Sequence, residues 1–352
     1  MKIAVLVSGG VDSSVALKLL KDQEHDITAF YLKIWLEDEL SFLGNCPWEE
    51  DLSYVTKVCE QLEVPLEVIS FQREYWDQVV SYTIEEVKAG RTPNPDVLCN
   101  TRVKFGAFYS ALNGRGFDKI ATGHYAIVKQ NNGLYELHIS PDPIKDQTYF
   151  LAHLTQEQLS RALFPIGHLK KSELRKLACD FDLPNKDRKD SQGICFLGKI
   201  KFKDFIQEYL GTKKGDIIEF ETGKKLAEHK GFWFYTIGQR QGIGLSGGPW
   251  YVFSKDIEKN IVYISKNYHN IDKPRNKFTI GKFNLISGRK MQLNNLTVKL
   301  RHGPGKYNCT IEQVDNNQAI VTLDKNDQGI AAGQFAVFYK DNICLGSAVI
   351  LG

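Results

Sequence analysis

A glycine-rich segment near the start of the chain has the residue types of an anion-binding loop. It reads Ser8-Gly9-Gly10-Val11-Asp12-Ser13-Ser14 and lies between a predicted strand and a predicted helix. Its glycines allow backbone amides to approach an anion, and its hydroxyls lie near the helix N-terminus. It lacks the Gly-Lys-Ser/Thr of a Walker A loop, and its aspartate favours handling of a metal-pyrophosphate over γ-phosphoryl transfer. The alternative is a βα turn capped by Ser8 or Asp12.

Two other polar loops each contain a cysteine. The segment 90–100, GRTPNPDVLCN, is stiffened by two prolines and presents Asp96 and Cys99, which suits a positioned nucleophile. The segment 189–196, KDSQGICF, contains Cys195. A lone cysteine is more often a small buried hydrophobe, but two in such loops suggest a functional pair. Cys46 remains unassigned. We assign the other four cysteines to packing: Cys59, Cys179, Cys309 and Cys344.

The elements around these loops predict an α/β protein. Apolar strands at 3–7, 27–32, 66–70 and 118–122 alternate with helical patterns near 12–22, 49–62, 74–88 and 102–113. This order predicts an N-terminal doubly wound parallel sheet, with ligands at the carboxyl ends of its strands. A hairpin is expected over 125–139, with helices near 145–153, 155–161, 170–181 and 201–210. We predict three domains: 1–205 for ATP binding and catalysis, 206–272 as a small connecting domain, and 273–352 as a C-terminal β-barrel of about six strands.

Length and composition exclude several classes. A chain of 352 residues with 42% hydrophobic and 25% charged residues suggests two to three globular domains and is unlike a disordered or fibrous chain. The apolar runs are too short to span a membrane, and no targeting segment precedes the first strand, so a cytoplasmic location is expected. The seven cysteines lack the spacing of a disulfide framework.

Charge is distributed unevenly along the chain. Residues 1–200 carry a net charge of −5 and residues 201–352 a net charge of +8. Between Lys266 and Lys306, ten basic residues face a single acid, Asp272. This region is either a phosphate-binding surface or a solvated basic face, and charge alone does not decide between them. The ten are Lys266, Lys273, Arg275, Lys277, Lys282, Arg289, Lys290, Lys299, Arg301 and Lys306.

The first loop resembles the PP-loop, S-G-G-x-D-S, of the ATP pyrophosphatases. With the other motifs, nearly the whole chain resembles the tRNA-specific 2-thiouridylase family. The matching segments are SGGVDSS at 8–14, GRTPNPDVLCN at 90–100, ATGHY at 121–125, KDQTYFL at 145–151, KDSQGICF at 189–196, TIGQRQGIG at 236–244, PWYV at 249–252 and GQFAVFY at 333–339. Several independent motifs in the same order make a chance similarity very improbable.

The resemblance implies ATP-dependent 2-thiolation of the wobble uridine, position 34, of tRNA. In that reaction ATP adenylylates the C2 oxygen and releases pyrophosphate, whose charge Mg²⁺ balances, and a persulfide sulfur on Cys195 then replaces the oxygen. Cys99 would be the nucleophile and would release sulfide or end in a disulfide with Cys195, while Asp96 is suited to deprotonate a nucleophile or orient the base. The implied partners are tRNA and a cysteine desulfurase or sulfur-relay protein, with no membrane, and no metal-ligating residues are assigned.

The resemblance also assigns binding residues. The ATP site would be lined by Leu6, Val7, Ser8, Gly9, Gly10, Val11, Asp12, Ser13, Leu32 and Gly123. The target base would lie against Asn94, Pro95 and Asp96. The remaining tRNA contacts would be His124, Lys145, Asp146, Gln147, Arg301, His302 and Gln334.

Some positions and functions have alternatives. His302 stands where many family members have an aromatic residue, and His124 is equally well explained as an ordinary hydrogen-bonded histidine. Aromatic residues near the basic region fit a barrel core better than a base-stacking surface. The rival functions are a PP-loop ligase that amidates a small molecule, which would not need the cysteine pair, and a non-catalytic nucleotide-binding RNA module.

Overall fold

The computed structural model describes residues 1–34, 48–190, 201–268, 275–289, 295–315 and 317–352. Its strands are β1 Lys2–Leu6, β2 Asp26–Lys33, β3 Leu66–Ser70, β4 Lys119–Ala121, β5 Ala126–Asn131, β6 Leu134–Ile139, β7 Ala162–Leu163, β8 Gly215–Glu219, β9 Lys225–His229, β10 Tyr251–Asp256, β11 Ile261–Ser265, β12 Lys277–Leu285, β13 Leu296–Lys299, β14 Tyr307–Gln313, β15 Gln318–Leu323, β16 Phe335–Lys340 and β17 Ile343–Ile350. Its α-helices are α1 Val11–Asp22, α2 Trp48–Leu62, α3 Gln72–Tyr75, α4 Ser81–Lys88, α5 Pro95–Leu98, α6 Phe108–Ala111, α7 Thr148–Leu151, α8 Gln156–Arg161, α9 Lys171–Asp180 and α10 Phe202–Leu210.

The N-terminal sheet confirms the predicted parallel, doubly wound architecture. Its strand order is β3-β2-β1-β4-β7, and every pairing is parallel. Alternate residues of β1 enter two cores: Ile3 packs with α1 and α2, whereas Leu6 packs on the opposite face. The chain adds β2 and β3 on one side of β1 and later β4 on the other. The strand order therefore reverses between β1 and β4, where open α/β sheets bind ligands.

Two long helices contain π-helical segments. Trp76–Val80 joins α3 to α4, and Cys99–Ala107 joins α5 to α6. The predicted helices near 74–88 and 102–113 are thus present. The second begins earlier than predicted, at Pro95, and becomes π-helical from Cys99. A π-helical segment shifts the side-chain positions relative to a regular α-helix and is often found at functional sites.

The C-terminal half is β-rich, as predicted. Strands β10-β11-β8-β9 form a four-stranded sheet. The six strands β12 to β17 close into a barrel because β12 pairs with both β15 and β17. The barrel interior is filled by apolar side chains such as Ile280, Val298, Phe338 and Ile350.

The hairpin β5–β6 connects the N-terminal domain directly to the barrel. The hairpin itself is confirmed, with Asn131 paired to Leu134 at its turn. Strand β6 also pairs with β17, through Leu137 opposite Cys344 and His138 opposite Ile343. One eight-stranded sheet therefore crosses between the two parts of the chain, and their relative position is fixed by backbone hydrogen bonds.

Candidate active site

The glycine-rich loop lies between β1 and α1 at the carboxyl edge of the sheet. Gly9 has a φ of +75°, and a Cβ built on it would come within 2.7 Å of the Asp51 carbonyl oxygen. Inside the loop, the Ser8 N–H donates to Ser13 Oγ at 3.2 Å, and Ser13 Oγ donates to the Gly10 carbonyl at 3.0 Å. The loop is tight at positions that only glycine fills without strain. The first N–H groups of α1 have no acceptor within the helix, so they are suited to an anion.

The other residues predicted to line an ATP site converge on this loop. Gly123 follows β4, and a Cβ there would come within 2.8 Å of Ser13 N. Leu32 lies near the end of β2, which pairs in parallel with β1. The segments containing Leu6 to Ser13, Leu32 and Gly123 thus meet at the carboxyl ends of three adjacent strands. Their close backbone approach leaves a polar cradle that fits a nucleotide phosphate.

Asp12 belongs to a network of charged side chains that the sequence did not reveal. Its Oδ1 accepts hydrogen bonds from Lys171 Nζ at 2.6 Å and from the Tyr125 hydroxyl at 3.1 Å. Lys171 Nζ also lies 2.7 Å from Asp190 Oδ1. The Asp190 carboxylate pairs in addition with Lys145 at 2.6 Å and with Arg175 at 2.5 Å. Burial alone would raise the pKa of Asp190, but the hydrogen bonds and charges of Lys145 and Lys171 hold this pKa below its usual value.

Cys99 occupies a buried position at the start of the π-helical segment. Asn94 caps α5 by accepting from Val97 N at 3.4 Å, and Pro95 opens the helix, so Asp96 and Cys99 are both held on ordered backbone. Cys99 is 2% exposed. Burial raises the pKa of its thiol; nearby Lys104 lowers this pKa, and Asp96 raises it. The raised pKa favours the protonated thiol over the thiolate.

The barrel holds the loop that precedes Cys99. Gln334 Nε2 donates to the carbonyls of Thr92 at 3.1 Å and Pro93 at 3.2 Å, and Thr92 N donates to the Ala332 carbonyl at 2.8 Å. A Cβ on Gly333 would come within 2.9 Å of the Thr92 oxygen. Gln334 was predicted to contact tRNA; in this structure its amide binds the loop that precedes Cys99.

Three predicted tRNA contacts have protein partners near the glycine-rich loop. Lys145 pairs with Asp190, and Gln147 Oε1 accepts from Tyr125 N at 2.9 Å. His124 is buried, and its Nδ1 hydrogen-bonds Thr122 Oγ1 at 2.7 Å. Burial holds the pKa of His124 well below its usual value, with a further contribution from Lys104. His124 thus has the geometry of the ordinary hydrogen-bonded histidine.

Asp146 and Lys299 form an ion pair inside the protein. Lys299 Nζ lies 3.0 Å from Asp146 Oδ2, and the two side chains are 3% and 4% exposed. Lys299 is one of the ten basic residues expected on either a phosphate-binding surface or a solvated face, and both expectations are wrong for it, because its charge is paired with Asp146 and only 3% of its side chain is exposed. Asp146 likewise joins the N-terminal domain to the barrel through this pair.

Arg301 and His302 remain accessible. Arg301 makes two parallel hydrogen bonds to Asp327, at 2.9 and 2.7 Å, while its side chain is 56% exposed. The His302 ring stacks on Phe150, with centroids 4.8 Å apart. Although the family's usual aromatic residue is absent here, the histidine ring forms a flat exposed surface with an aromatic neighbour.

A basic groove lies where the hairpin meets the barrel. It encloses about 550 Å³, and its walls include Lys129, His138, Lys306 and the paired Asp146 and Lys299. Lys306 comes from the basic region of the sequence, and its Nζ lies over the Tyr339 ring at 4.7 Å. The aromatic residues Tyr268 and Phe278 are buried, as expected for core positions, whereas Phe283 is exposed.

The cysteines assigned to packing differ in their exposure. Cys59, Cys309 and Cys344 are buried, but Cys179 is exposed, so its assignment to packing is wrong; it lies on the outer face of α9. Cys46 and Cys195 lie outside the described residues. Within the described ranges, no helix is long and apolar enough to cross a membrane, and no cluster of three or more His, Cys, Asp or Glu side chains is arranged to hold a metal ion.

Sequence reasoning missed Lys171, Asn185 and Arg188, which contact or lie against the glycine-rich loop from residues more than 150 positions away. Lys171 lies in a predicted helix, and nothing in its spacing distinguishes it from the exposed Lys176. Asn185 and Arg188 lie in the polar segment before Cys195, whose closeness to the first loop is set by tertiary packing.

Family models and curated proteins match this arrangement from end to end. Residues 1–199 match the tRNA methyl transferase HUP domain, residues 203–266 the tRNA methyl transferase PRC-barrel domain, and residues 275–350 the aminomethyltransferase beta-barrel domain. The chain is 47% identical to tRNA-specific 2-thiouridylase MnmA of Parabacteroides distasonis, over 100% of this chain and 99% of the relative.

Other relatives carry the same description. The chain is 46% identical to tRNA-specific 2-thiouridylase MnmA 2 of Bacteroides fragilis, over 99% of this chain and 100% of the relative. It is 44% identical to the Porphyromonas gingivalis protein, over 99% of each. With the three matching domains in order, these full-length similarities show that the chain belongs to the tRNA-specific 2-thiouridylase family, a group of tRNA sulfurtransferases.

Proposed function

We propose that this protein uses ATP to replace the C2 oxygen of the wobble uridine, position 34, of tRNA with sulfur. The observation that supports this most is the pairing of a PP-loop with a second ordered loop, in which Asn94 caps the helix that carries Asp96 and Cys99. A ligase that amidates a small molecule would not need that thiol or the Gln334 contact that fixes its loop. A non-catalytic RNA module would need neither loop.

ATP is a substrate in this proposal. The cradle around Gly9 and Gly123 fits its phosphates, because added Cβ atoms at either glycine would come within 3 Å of the surrounding chain. Mg²⁺, if bound, would neutralise phosphate charge, and Asp12 is the carboxylate placed to hold it together with phosphate oxygens. Transfer of AMP to the C2 oxygen, with release of pyrophosphate, converts a poor leaving group into a good one.

The sulfur would arrive as a persulfide on Cys195. The outer sulfur bonds to C2, the C2–O bond breaks, and AMP leaves. Cys99, deprotonated by Asp96, attacks the inner sulfur of Cys195, which cleaves the S–S bond of the persulfide and forms a Cys99–Cys195 disulfide. In the alternative order, Cys99 cleaves the persulfide first and the released sulfide attacks C2. Both orders oxidise the two cysteines, so an external thiol reductant must reopen the disulfide.

The tRNA surface would combine the accessible and basic features. Arg301, the His302–Phe150 stack and the groove containing Lys306 all lie on the barrel or its junction with the N-terminal domain. Asn94 and Pro95 would contact the extruded base, which a single-stranded anticodon loop releases at low cost. The sulfur would come from a cysteine desulfurase or a sulfur-relay protein.

Mass spectrometry of tRNA incubated with the protein, ATP, Mg²⁺ and a persulfide donor tests the proposal directly. We expect oxygen-to-sulfur exchange at position 34. We also expect Cys99→Ser and Cys195→Ser to abolish product while tRNA and ATP affinities change less than about threefold, since a hydroxyl carries no persulfide. Cys179→Ser, at an exposed cysteine, is the matched control and should keep full activity. Multiple turnover by either active-site variant would remove that cysteine from the mechanism.

A further inference from the structure

The PP-loop lacks a cation of its own. None of residues 8–14 is Lys or Arg, and the loop's one charged residue is Asp12. Transfer of a nucleotide from ATP develops negative charge on the departing pyrophosphate, and enzymes stabilise such charge with fixed cations as well as backbone amides. Positive side chains must therefore come from another part of the fold.

Helix α9 brings one such side chain to the loop. The helix packs on α1 through a core that contains Val15, Leu174 and Ala178. This contact places Lys171, the first residue of α9, with its Nζ 2.6 Å from Asp12 Oδ1 and 2.7 Å from Asp190 Oδ1. The Lys171 side chain is only 16% exposed, so its position is well defined by packing.

A second cation lies beside Gly9 of the loop. Arg188 pairs with Asp51, and a Cβ built on Gly9 would come within 2.8 Å of Arg188 Nη1. Asn185 ties the same segment to the loop, because its Nδ2 donates to the Gly9 carbonyl at 2.8 Å and to Ser14 Oγ at 2.9 Å. Residues 171–190 thus form a second wall of the nucleotide site.

We infer that Lys171 and Arg188 bind the two outer phosphates of ATP, and that Lys171 leaves Asp12 for these phosphate oxygens when a divalent cation binds Asp12. This inference rests on the proposed function. Each carboxylate that holds Lys171 has a replacement partner: Asp12 gains the metal ion, and Asp190 keeps Lys145 and Arg175. Lys171 can therefore move without leaving an unpaired carboxylate.

Calorimetric titration with ATP and with AMP, both with Mg²⁺, tests this assignment in the full-length protein. A charge-assisted hydrogen bond to phosphate contributes enough that Lys171→Met and Arg188→Met should each weaken ATP binding about 10- to 100-fold. AMP lacks the two outer phosphates, so its affinity should change less than about threefold. Lys176→Met, on the exposed face of the same helix, is the matched control and should bind both nucleotides normally.

The ratio of the two affinities separates phosphate binding from structural damage. Unchanged ATP binding in both variants, or an equal loss of ATP and AMP binding in folded protein, would overturn the inference. Lys171→Met could lower the melting temperature enough to unfold the protein. Arg188 lies outside the Asp12–Asp190 network, so the ratio of ATP to AMP affinity in Arg188→Met then tests the inference by itself. A wild-type protein that binds no ATP would instead refute the proposed function, which keeps the two failures distinct.

Discussion

The buried pair of Lys299 and Asp146 supports the sharpest prediction for stability. Changing Lys299 to Met keeps most of the side-chain volume but leaves the Asp146 carboxylate without its cation. Removing one partner of a buried pair usually costs about 3–5 kcal/mol. Asp146 keeps hydrogen bonds from Ser140 N at 3.2 Å and Thr148 Oγ1 at 2.9 Å, so we expect a loss near the lower end, about 3 kcal/mol.

Urea unfolding, followed by far-ultraviolet circular dichroism, measures this loss. Lys277→Met, at an exposed lysine of β12, is the matched control and should change the free energy of unfolding by less than about 0.5 kcal/mol. Adding Asp146→Asn to Lys299→Met removes both charges and should restore more than half of the lost stability. A Lys299→Met variant as stable as the Lys277 control would show that the buried pair does not act as described.

The same variant tests the corrected role of Lys299 in tRNA binding. Each phosphate contact contributes roughly one unit to the slope of log affinity against log salt concentration. Because Lys299 is shielded from solvent, Lys299→Met should leave that slope unchanged in any folded preparation. A slope reduced by about one unit would return Lys299 to the phosphate-binding surface.

Three further outcomes follow from contacts at the site and in the core. Arg301→Lys should lower the free energy of unfolding by about 1–3 kcal/mol, because the double hydrogen bond to buried Asp327 is lost, but it should keep the salt slope of tRNA binding. Arg301→Ala should lower both the free energy of unfolding and the salt slope, whereas the exposed Arg289→Ala should change neither quantity. An Arg301→Lys variant as stable as wild type would contradict this. Gln334→Ala should lower kcat for thiolation by about tenfold, with tRNA affinity unchanged, because the loop before Cys99 loses its hydrogen bonds to the barrel. An equal kcat in this variant and in the exposed Gln318→Ala control would refute this positioning role. Burial lowers the pKa of His153 to about 4, so below pH 6.5 the unfolded chain takes up a proton at this residue that the folded protein does not. The free energy of unfolding therefore falls as pH decreases, by up to about 2 kcal/mol from this residue at pH 5. Urea unfolding from pH 7.5 to 5 should show a smaller fall for His153→Gln than for wild type or the exposed His168→Gln.

Local patterns in the sequence predicted the elements and the loops well. The alternation that placed β1 and α1 around Gly9 follows from periodicity and turn chemistry, and these act over a few residues. Contacts between distant segments were not accessible in this way. The charge of Lys299 suggested a phosphate contact because its partner, Asp146, lies 153 residues away in the chain.

The same limit explains the contacts that were missed. Gln334 was matched to a motif, but its hydrogen bonds to Thr92 and Pro93 depend on how the barrel docks. Lys171 has no local feature that separates it from other helical lysines. Its closeness to Asp12 results from the packing of α9 on α1, which hydrophobic periodicity predicts only as an apolar face.

The pairing of β6 with β17 has a consequence for synthesis on the ribosome. Strand β6 ends at Ile139, but its neighbour in the sheet begins only at Ile343. At about 5–20 residues per second, roughly 10–40 s pass between the emergence of the two strands. During that interval the outer edge of the hairpin has unpaired N–H and C=O groups, which attract other strands. The nascent N-terminal domain therefore has an aggregation-prone edge until β17 emerges, and chains that stop early keep that edge permanently.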